Sequence, residues 1–369
     1  MSEYQYYEFQ TLDRPLNSQE KKIINQLSSR VELSATKATF TYSYGDFRGN
    51  PAEILAKYFD GMYYIANWGT QQLMFRFPQS LIDLEQIKPY CVEDCISVST
   101  IGKYVILNLE YYTEDGFGWI EDDGGELSEV INLRNDILQQ DYRLLYLAWL
   151  KAIALQKLDP EALEPPVPPG LNQLSSSLTA FIKLFGIDEH LVKVAAQSSK
   201  QPQSISDATW REIIANLPRK ECDRILLQLV KNQPNLAIEF KQKIAKKIAN
   251  TQSNNQSSRS GSELLEAANQ ETQKAELKQQ QEAEAQRIAE LKQFASQATQ
   301  AWTDIERLLL VAQAKPYEDA VKLLVKLRDL AVYQNKQPEF QQRLNYIYEK
   351  YSRRAGLLKR LKNAGLHRK

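Results

Sequence analysis

An α+β N-terminal domain followed by all-helical middle and C-terminal regions is the architecture this sequence predicts. Three observations carry it. Thr39, Thr41 and Ser43 alternate with Phe40, Tyr42 and Tyr44, the period of two that marks a half-buried strand. Strand signals recur as far as Tyr112 and almost vanish beyond it, and from Leu127 apolar residues return at helical spacing. The boundaries that follow are an α+β domain of about five mostly antiparallel strands at 1–125 and helices at 126–250. A flexible linker at 251–262 and a long helix with a helical hairpin at 263–369 complete the chain.

In chain order, NSQEKKIINQLSSR is a helix entered at Asn17 or Ser18, with Ile23, Ile24 and Leu27 on one face. Gly45-Asp46 ends the first strand. Asn50 can accept from the free backbone donors of a second helix, and Pro51 at its first position loses no hydrogen bond. Glu53 suits the helix dipole, and Gly61 can take a left-handed cap. MYYIANW and QQLMFRFP then form a hairpin about Gly69-Thr70. After a short turn at SLIDLEQIKPY, CISVS and KYVILNLEYY are two more strands about Ile101-Gly102.

LSEVINLRNDILQQ and DYRLLYLAWLKAIALQKL are two helices, the second apolar on so wide a face that deep burial is expected. EPPVPPG, residues 164–170, is extended and reads as a stiff spacer. Four or five short helices follow, punctuated by Gly186, Pro202, Pro218 and Pro234. TQSNNQSSRSGS contains no large apolar residue and reads as a linker. Ala, Glu, Gln and Lys then dominate a long helix whose first half has few apolar positions, without the sustained heptads of a coiled coil. Two helices joined near Asn335 close the chain, the last of them running through to Leu366.

Several chemistries can be argued down. With only His190 and His367, a Ser–His–Asp or Cys–His site has few ways to exist, and His190 reads as a structural histidine. Cys91 and Cys95 form one C-x₃-C pair and Cys222 is distant, whereas structural zinc needs four ligands. Phosphate-loop and dinucleotide glycine motifs are absent, so no cofactor is expected and an enzyme is unsupported. The loop TEDGFGWIEDDGGE has the acids Glu114, Asp115, Glu121, Asp122 and Asp123, but not the spacing of a calcium loop. Three cysteines make no disulfide framework, MSEYQYYEFQ has no signal-peptide pattern, and no apolar run is long enough to cross a bilayer. A cytoplasmic protein is the expectation.

The formal net charge is zero, yet residues 1–130 hold twenty Asp and Glu against ten Lys and Arg. Residues 336–369 hold ten Lys and Arg against two acids. The bland reading is a mutual attraction of the two ends, within or between chains; the sharper one is an anionic partner for the tail.

MSEYQYYEFQTLDRPL, YSYGDFRGNPAEILAKYFD, YIANWGTQQLMFRFP, the PYC at Cys91 and LEPPVPPGL at 163–171 resemble a family of uncharacterised bacterial proteins common in cyanobacteria. The resemblance covers most of residues 1–171 and implies no activity. YEDAVKLLVKLRDLA through LLKRLKNAGL is similar in pattern to helical tails of bacterial SWIM zinc-finger proteins. The C-x-C…C-x-H cluster that binds zinc in that family is absent, so neither zinc nor DNA binding is implied.

The first functional expectation is therefore a non-enzymatic interaction or adaptor protein with a protein partner. Its candidate contact residues are Phe47, Trp68, Arg76 and Trp119, because aromatics and arginine at turns and strand ends often anchor interfaces. Core positions are the competing reading, favoured for Trp68 in particular. A second expectation is nucleic-acid binding by the basic last helix, through Arg353, Arg354, Lys359 and Arg360. A third is a metal-dependent hydrolase using Asp46, Asp60 or the acids of 114–123.

Overall fold

A computed structural model describes residues 3–117, 124–202, 207–231, 233, 235–249 and 259–368. The chain divides into two compact units, Met1–Thr272 and Gln273–Lys369.

The first unit is built on a seven-stranded sheet with every pairing antiparallel. Its strands are β1 (Gln5–Gln10), β2 (Glu32–Leu33), β3 (Lys37–Tyr42), β4 (Gly61–Ala66), β5 (Thr70–Pro78), β6 (Ile96–Ile101) and β7 (Tyr104–Tyr112), in the spatial order β2-β3-β1-β4-β5-β7-β6. The α+β class is as the sequence predicts, with two strands beyond the five expected. One addition, β2, is two residues long. The other, β1, lies in the interior of the sheet between β3 and β4.

Side chains alternate between two apolar faces. Phe9, Phe40, Met62 and Met74 face α1 (Ser18–Asn25) and α2 (Pro51–Tyr58), together with Phe47 and Phe59. Asn17 and Glu20 complete a capping box on α1, and Asn50 caps α2 ahead of Pro51. Gly61 is not a helix cap. It opens β4, and a Cβ there would lie 2.1 Å from the Ile131 Cδ1, so glycine lets a helical segment approach the sheet.

The opposite face, with Tyr63, Leu73, Phe75, Phe77, Leu107 and Leu109, is covered by helices. A short helix α3 (Leu84–Ile87) precedes β6. The covering helices are α4 (Glu126–Val130), α5 (Leu133–Leu138), α6 (Arg143–Ala154), α7 (Ser176–Leu184) and α8 (Glu189–Ala196). Residue 125 is consequently not a packing boundary, because sheet and helices share one core. Every residue of α6 from Leu144 to Leu150 is buried, as its wide apolar face requires. Tyr111 donates to the Ala148 carbonyl (2.8 Å) and Gln71 to that of Leu184 (2.9 Å), which satisfies buried polar groups across this layer.

The proline segment is no spacer. Glu164, Pro165 and Pro168 are buried, and the carbonyls of Pro166 and Pro168 accept from Tyr90 (2.7 Å) and Ser199 (2.7 Å). Glu164 also receives the Tyr146 hydroxyl and two donors of Arg259, at 2.7 and 3.0 Å. Residues 259–262 of the expected linker are therefore structured, whereas 251–258 lie outside the described residues. Further helices are α9 (Asp207–Ala215), α10 (Arg219–Val230), α11 (Leu236–Ala249) and the long α12 (Gly261–Ala295).

The second unit contains α13 (Ala298–Leu310), α14 (Ala314–Tyr333), α15 (Gln337–Lys350) and α16 (Ala355–Asn363) around Ile305, Leu309, Leu324, Leu344, Leu357 and Leu361. The closing helix expected as one rod is two. Its break at 351–354 is held by Arg354, which donates to the Leu309 carbonyl and stacks 4.7 Å from the Tyr351 ring centre.

An ionic quartet joins the first unit, with Asp60, Arg76 and Arg134 buried and Asp13 at the exposed edge. Asp60 accepts from the backbone of Leu12 (2.7 Å) and Asp13 (2.9 Å) and pairs with Arg76 at 2.7 Å. Arg134, fully buried, lies 3.4 Å from Asp60, makes two bonds to Asp13 and donates to the Arg76 carbonyl at 2.7 Å. Burial opposes charge on Asp60, but Arg134, Arg76 and the two backbone donors outweigh it and hold the carboxyl below its ordinary range.

Arg134→Met is expected to lower unfolding free energy by about 3–5 kcal/mol, since it strands buried charge; a urea titration measures it. Between the folded and unfolded pKa values of Asp60 the unfolded chain binds more protons. Its contribution is complete above about pH 4 and disappears as pH falls through the lower folded value. Melting temperature followed down to acid pH should fall more steeply for the wild type than for Arg134→Met.

Candidate functional site

The β4–β5 hairpin presents one of the four candidate contact residues. Gly69 takes φ +109°, and a Cβ there would lie 2.0 Å from the Thr113 carbonyl oxygen, so only glycine fits this turn. Asn67 clamps the turn by bonds to Tyr4 (3.0 and 3.1 Å) and to the Phe117 amide (3.2 Å). Trp68 is left at the tip, 39% exposed, with its indole N–H donating to the Thr70 hydroxyl at 3.1 Å. The expectation of a core tryptophan is corrected: more than a third of the side chain meets solvent.

Phe47 is the reverse case. Its ring lies 5.0 Å from those of Tyr7 and Phe40 and 5.7 Å from that of Phe9, so it fills the sheet's aromatic face rather than meeting solvent. Arg76 is also buried, in the ionic quartet, with its guanidinium 4.5 Å from the Tyr104 ring centre. Trp119 lies outside the described residues, as do Glu121, Asp122 and Asp123. The fold does not gather Phe47, Trp68 and Arg76 on one surface.

The acids of the hydrolase reading are likewise dispersed. Both oxygens of Asp60 are committed to arginines and backbone N–H groups. Asp46 accepts from Gln5 at 3.2 Å. Among the described residues, no group of three His, Cys, Asp or Glu side chains is placed to hold a metal ion. Cys91 and Cys95 are half-buried and buried thiols, pushed up in pKa by burial and so poor nucleophiles at neutral pH.

Of the four basic candidates, Arg354 braces the α15–α16 break and Arg360 pairs with Glu318 at 3.2 Å. Arg353 and Lys359 are exposed. Two of these four cations, Arg354 and Arg360, thus also make contacts within the second unit.

What residue-by-residue reading missed is α10. Among the described residues none on α9 or α10 is fully buried. Leu226, Leu227, Leu229 and Val230 are 55, 60, 62 and 79% exposed, and Ile214 on α9 is half exposed. Leu226, Leu229 and Val230 share one face by their spacing. The signal was present: in KECDRILLQLVKN, Ile225 through Leu227 with Leu229 and Val230 span too wide an arc for a helix buried on one side.

Comparison with protein-family models, with curated proteins and with solved structures finds no match. Among the described residues no helix is long and apolar enough to cross a membrane.

Phe47→Ala should cost about 3–5 kcal/mol of stability by leaving a cavity among three rings. Trp68→Ala should stay within about 1 kcal/mol. Paired urea melts check both, and an equal loss at the two positions would contradict the burial difference.

Proposed function

We propose that this chain is a non-enzymatic cytoplasmic interaction or adaptor protein that binds a protein partner through the apolar face of α10. The observation that carries this reading is the run of four large aliphatic side chains, Leu226, Leu227, Leu229 and Val230, each more than half exposed. Contiguous exposed apolar surface of this kind marks interaction sites more often than the scattered single residues normal on any protein. Burial returns about 25 cal/mol for each Å² removed from water, so four such side chains on one helix are a source of affinity.

Charges at the rim support a specific rather than a merely sticky surface. Arg219, Lys220, Arg224 and Lys231 flank the aliphatic run, and Arg219 is partnered by Asp223 at 3.0 Å. Such a rim fits a partner with an amphipathic, acid-edged helix. The three free thiols support a reducing compartment. The hydrolase alternative loses support at Asp60, whose two oxygens are engaged by Arg76, Arg134 and the backbone N–H groups of Leu12 and Asp13.

The test uses full-length wild type beside Leu226→Glu/Val230→Glu, a change at exposed positions that leaves the core untouched. A stoichiometric protein recovered from lysate by wild type and lost with the variant is the expected result. Equal recovery by both would overturn the assignment to α10, and light scattering separates a partner from a second copy of the chain.

A further inference from the structure

We infer that the groove between α13 and α15 in the second unit is a binding site for single-stranded nucleic acid. Its walls are two helical stripes. Arg343, Tyr346 and Lys350, spaced i, i+3, i+7, lie on α15; Thr299, Trp302, Thr303 and Glu306, spaced i, i+3, i+4, i+7, lie on α13. Together they enclose about 310 Å³.

Cations and rings alternate along this groove. The Arg343 guanidinium lies 4.9 Å from the Trp302 ring centre, and the Lys350 ammonium lies 5.3 Å from that of Tyr346 and 5.7 Å from that of Tyr351. Tyr346 is 56% exposed, an unfavourable placement for an aromatic ring, and Arg343 and Lys350 are exposed beside it. Trp302 is half-buried between the tilted Phe340 ring at 5.9 Å and the Arg343 guanidinium, which leaves Tyr346 as the exposed ring of the groove.

A single strand offers what this groove is shaped to meet: planar bases that stack on aromatic faces, and phosphates that attract cations between them. The surrounding charge agrees. Residues 298–369 hold fifteen Lys and Arg against seven Asp and Glu. The one carboxylate in the lining, Glu306, is near Lys350 and does not cancel the excess. An acidic peptide would use the cations but not the rings, and a duplex would hide its base faces, so the alternation favours the single strand. The site differs from the last-helix surface, where Arg354 and Arg360 are structural.

The experiment is fluorescence anisotropy of the full-length chain with a labelled single strand of about 12 nucleotides. It is repeated with the matching duplex and with polyglutamate over a series of salt concentrations. Tyr346→Ala should weaken single-strand binding about tenfold, whereas Tyr346→Phe, which keeps the ring, should not. Arg343→Gln/Lys350→Gln should weaken it further and make the logarithmic salt slope shallower by about 1.4, at about 0.7 for each phosphate left without its cation. All three positions are exposed, and helicity by circular dichroism confirms that the variants fold. Unchanged affinity in Tyr346→Ala, equal binding of duplex and single strand, or tighter binding of polyglutamate would each overturn the site.

Discussion

Asp60, Arg76, Arg134 and Asp13 form the one ionic cluster on which the architecture of the first unit depends. Two carboxylates and two guanidiniums at 2.7–3.4 Å sit where four pieces of chain meet: the residues after β1, the end of α2, β5 and α5. A lone charge at Asp60, Arg76 or Arg134 would be expelled from the interior. Balanced two against two, with backbone groups of Leu12, Asp13, Ala56 and Arg76 taking further bonds, they instead fix how the sheet, its N-terminal segment and the covering helices register. An apolar quartet could match the stability, as buried ion pairs seldom exceed good packing.

The same logic explains what could and could not be read from the chain. Helix starts at Asn17 and Asn50 were legible because caps are local, decided by three or four residues. So were β3–β5 and β7, whose β-branched and aromatic content fits no alternative. β1 was not. Gln5 and Glu8 stand in QYYEFQ where a buried strand should be apolar, and only the fold reveals their partners: Gln5 accepts from Tyr7 and Tyr64, and Glu8 meets Lys37 at 2.8 Å and the Gly125 amide at 3.1 Å. Polar residues satisfied by distant groups erase the period-two signal. For Gly61, a cap and a close approach write the same letter, and only Ile131 on the far side distinguishes them.

The candidate site was less legible than the fold, for a related reason. Aromatics and arginines mark interfaces and cores alike, because both are places where large side chains leave water. Phe47 and Arg76 went to the interior once β1 supplied Tyr7 and Phe9 and α5 supplied Arg134. Trp68 went to the surface because it stands at the tip of a two-strand turn closed by Gly69. The exposed side chains of α10 follow a different rule. There the composition exceeds what one buried face can absorb, and the surplus must stand in water until something covers it.

Charge is partitioned as unevenly as apolar surface. Met1–Thr272 holds 27 basic and 35 acidic residues, and Gln273–Lys369 holds 19 and 11, so a neutral chain is made of an acidic and a basic part. The acidic excess lies in residues 1–130, whereas residues 207–249 around α10 hold nine Lys and Arg against five Asp and Glu, so the two exposed features differ in what drives binding rather than in the sign of their local charge. An aliphatic face such as that of α10 draws its affinity from water release, which salt leaves intact or strengthens. A cationic groove such as that between α13 and α15 draws on counterion release, which salt abolishes. Each feature is thus tied to its own kind of partner by the physics of its surface, and neither could substitute for the other by a small change of sequence.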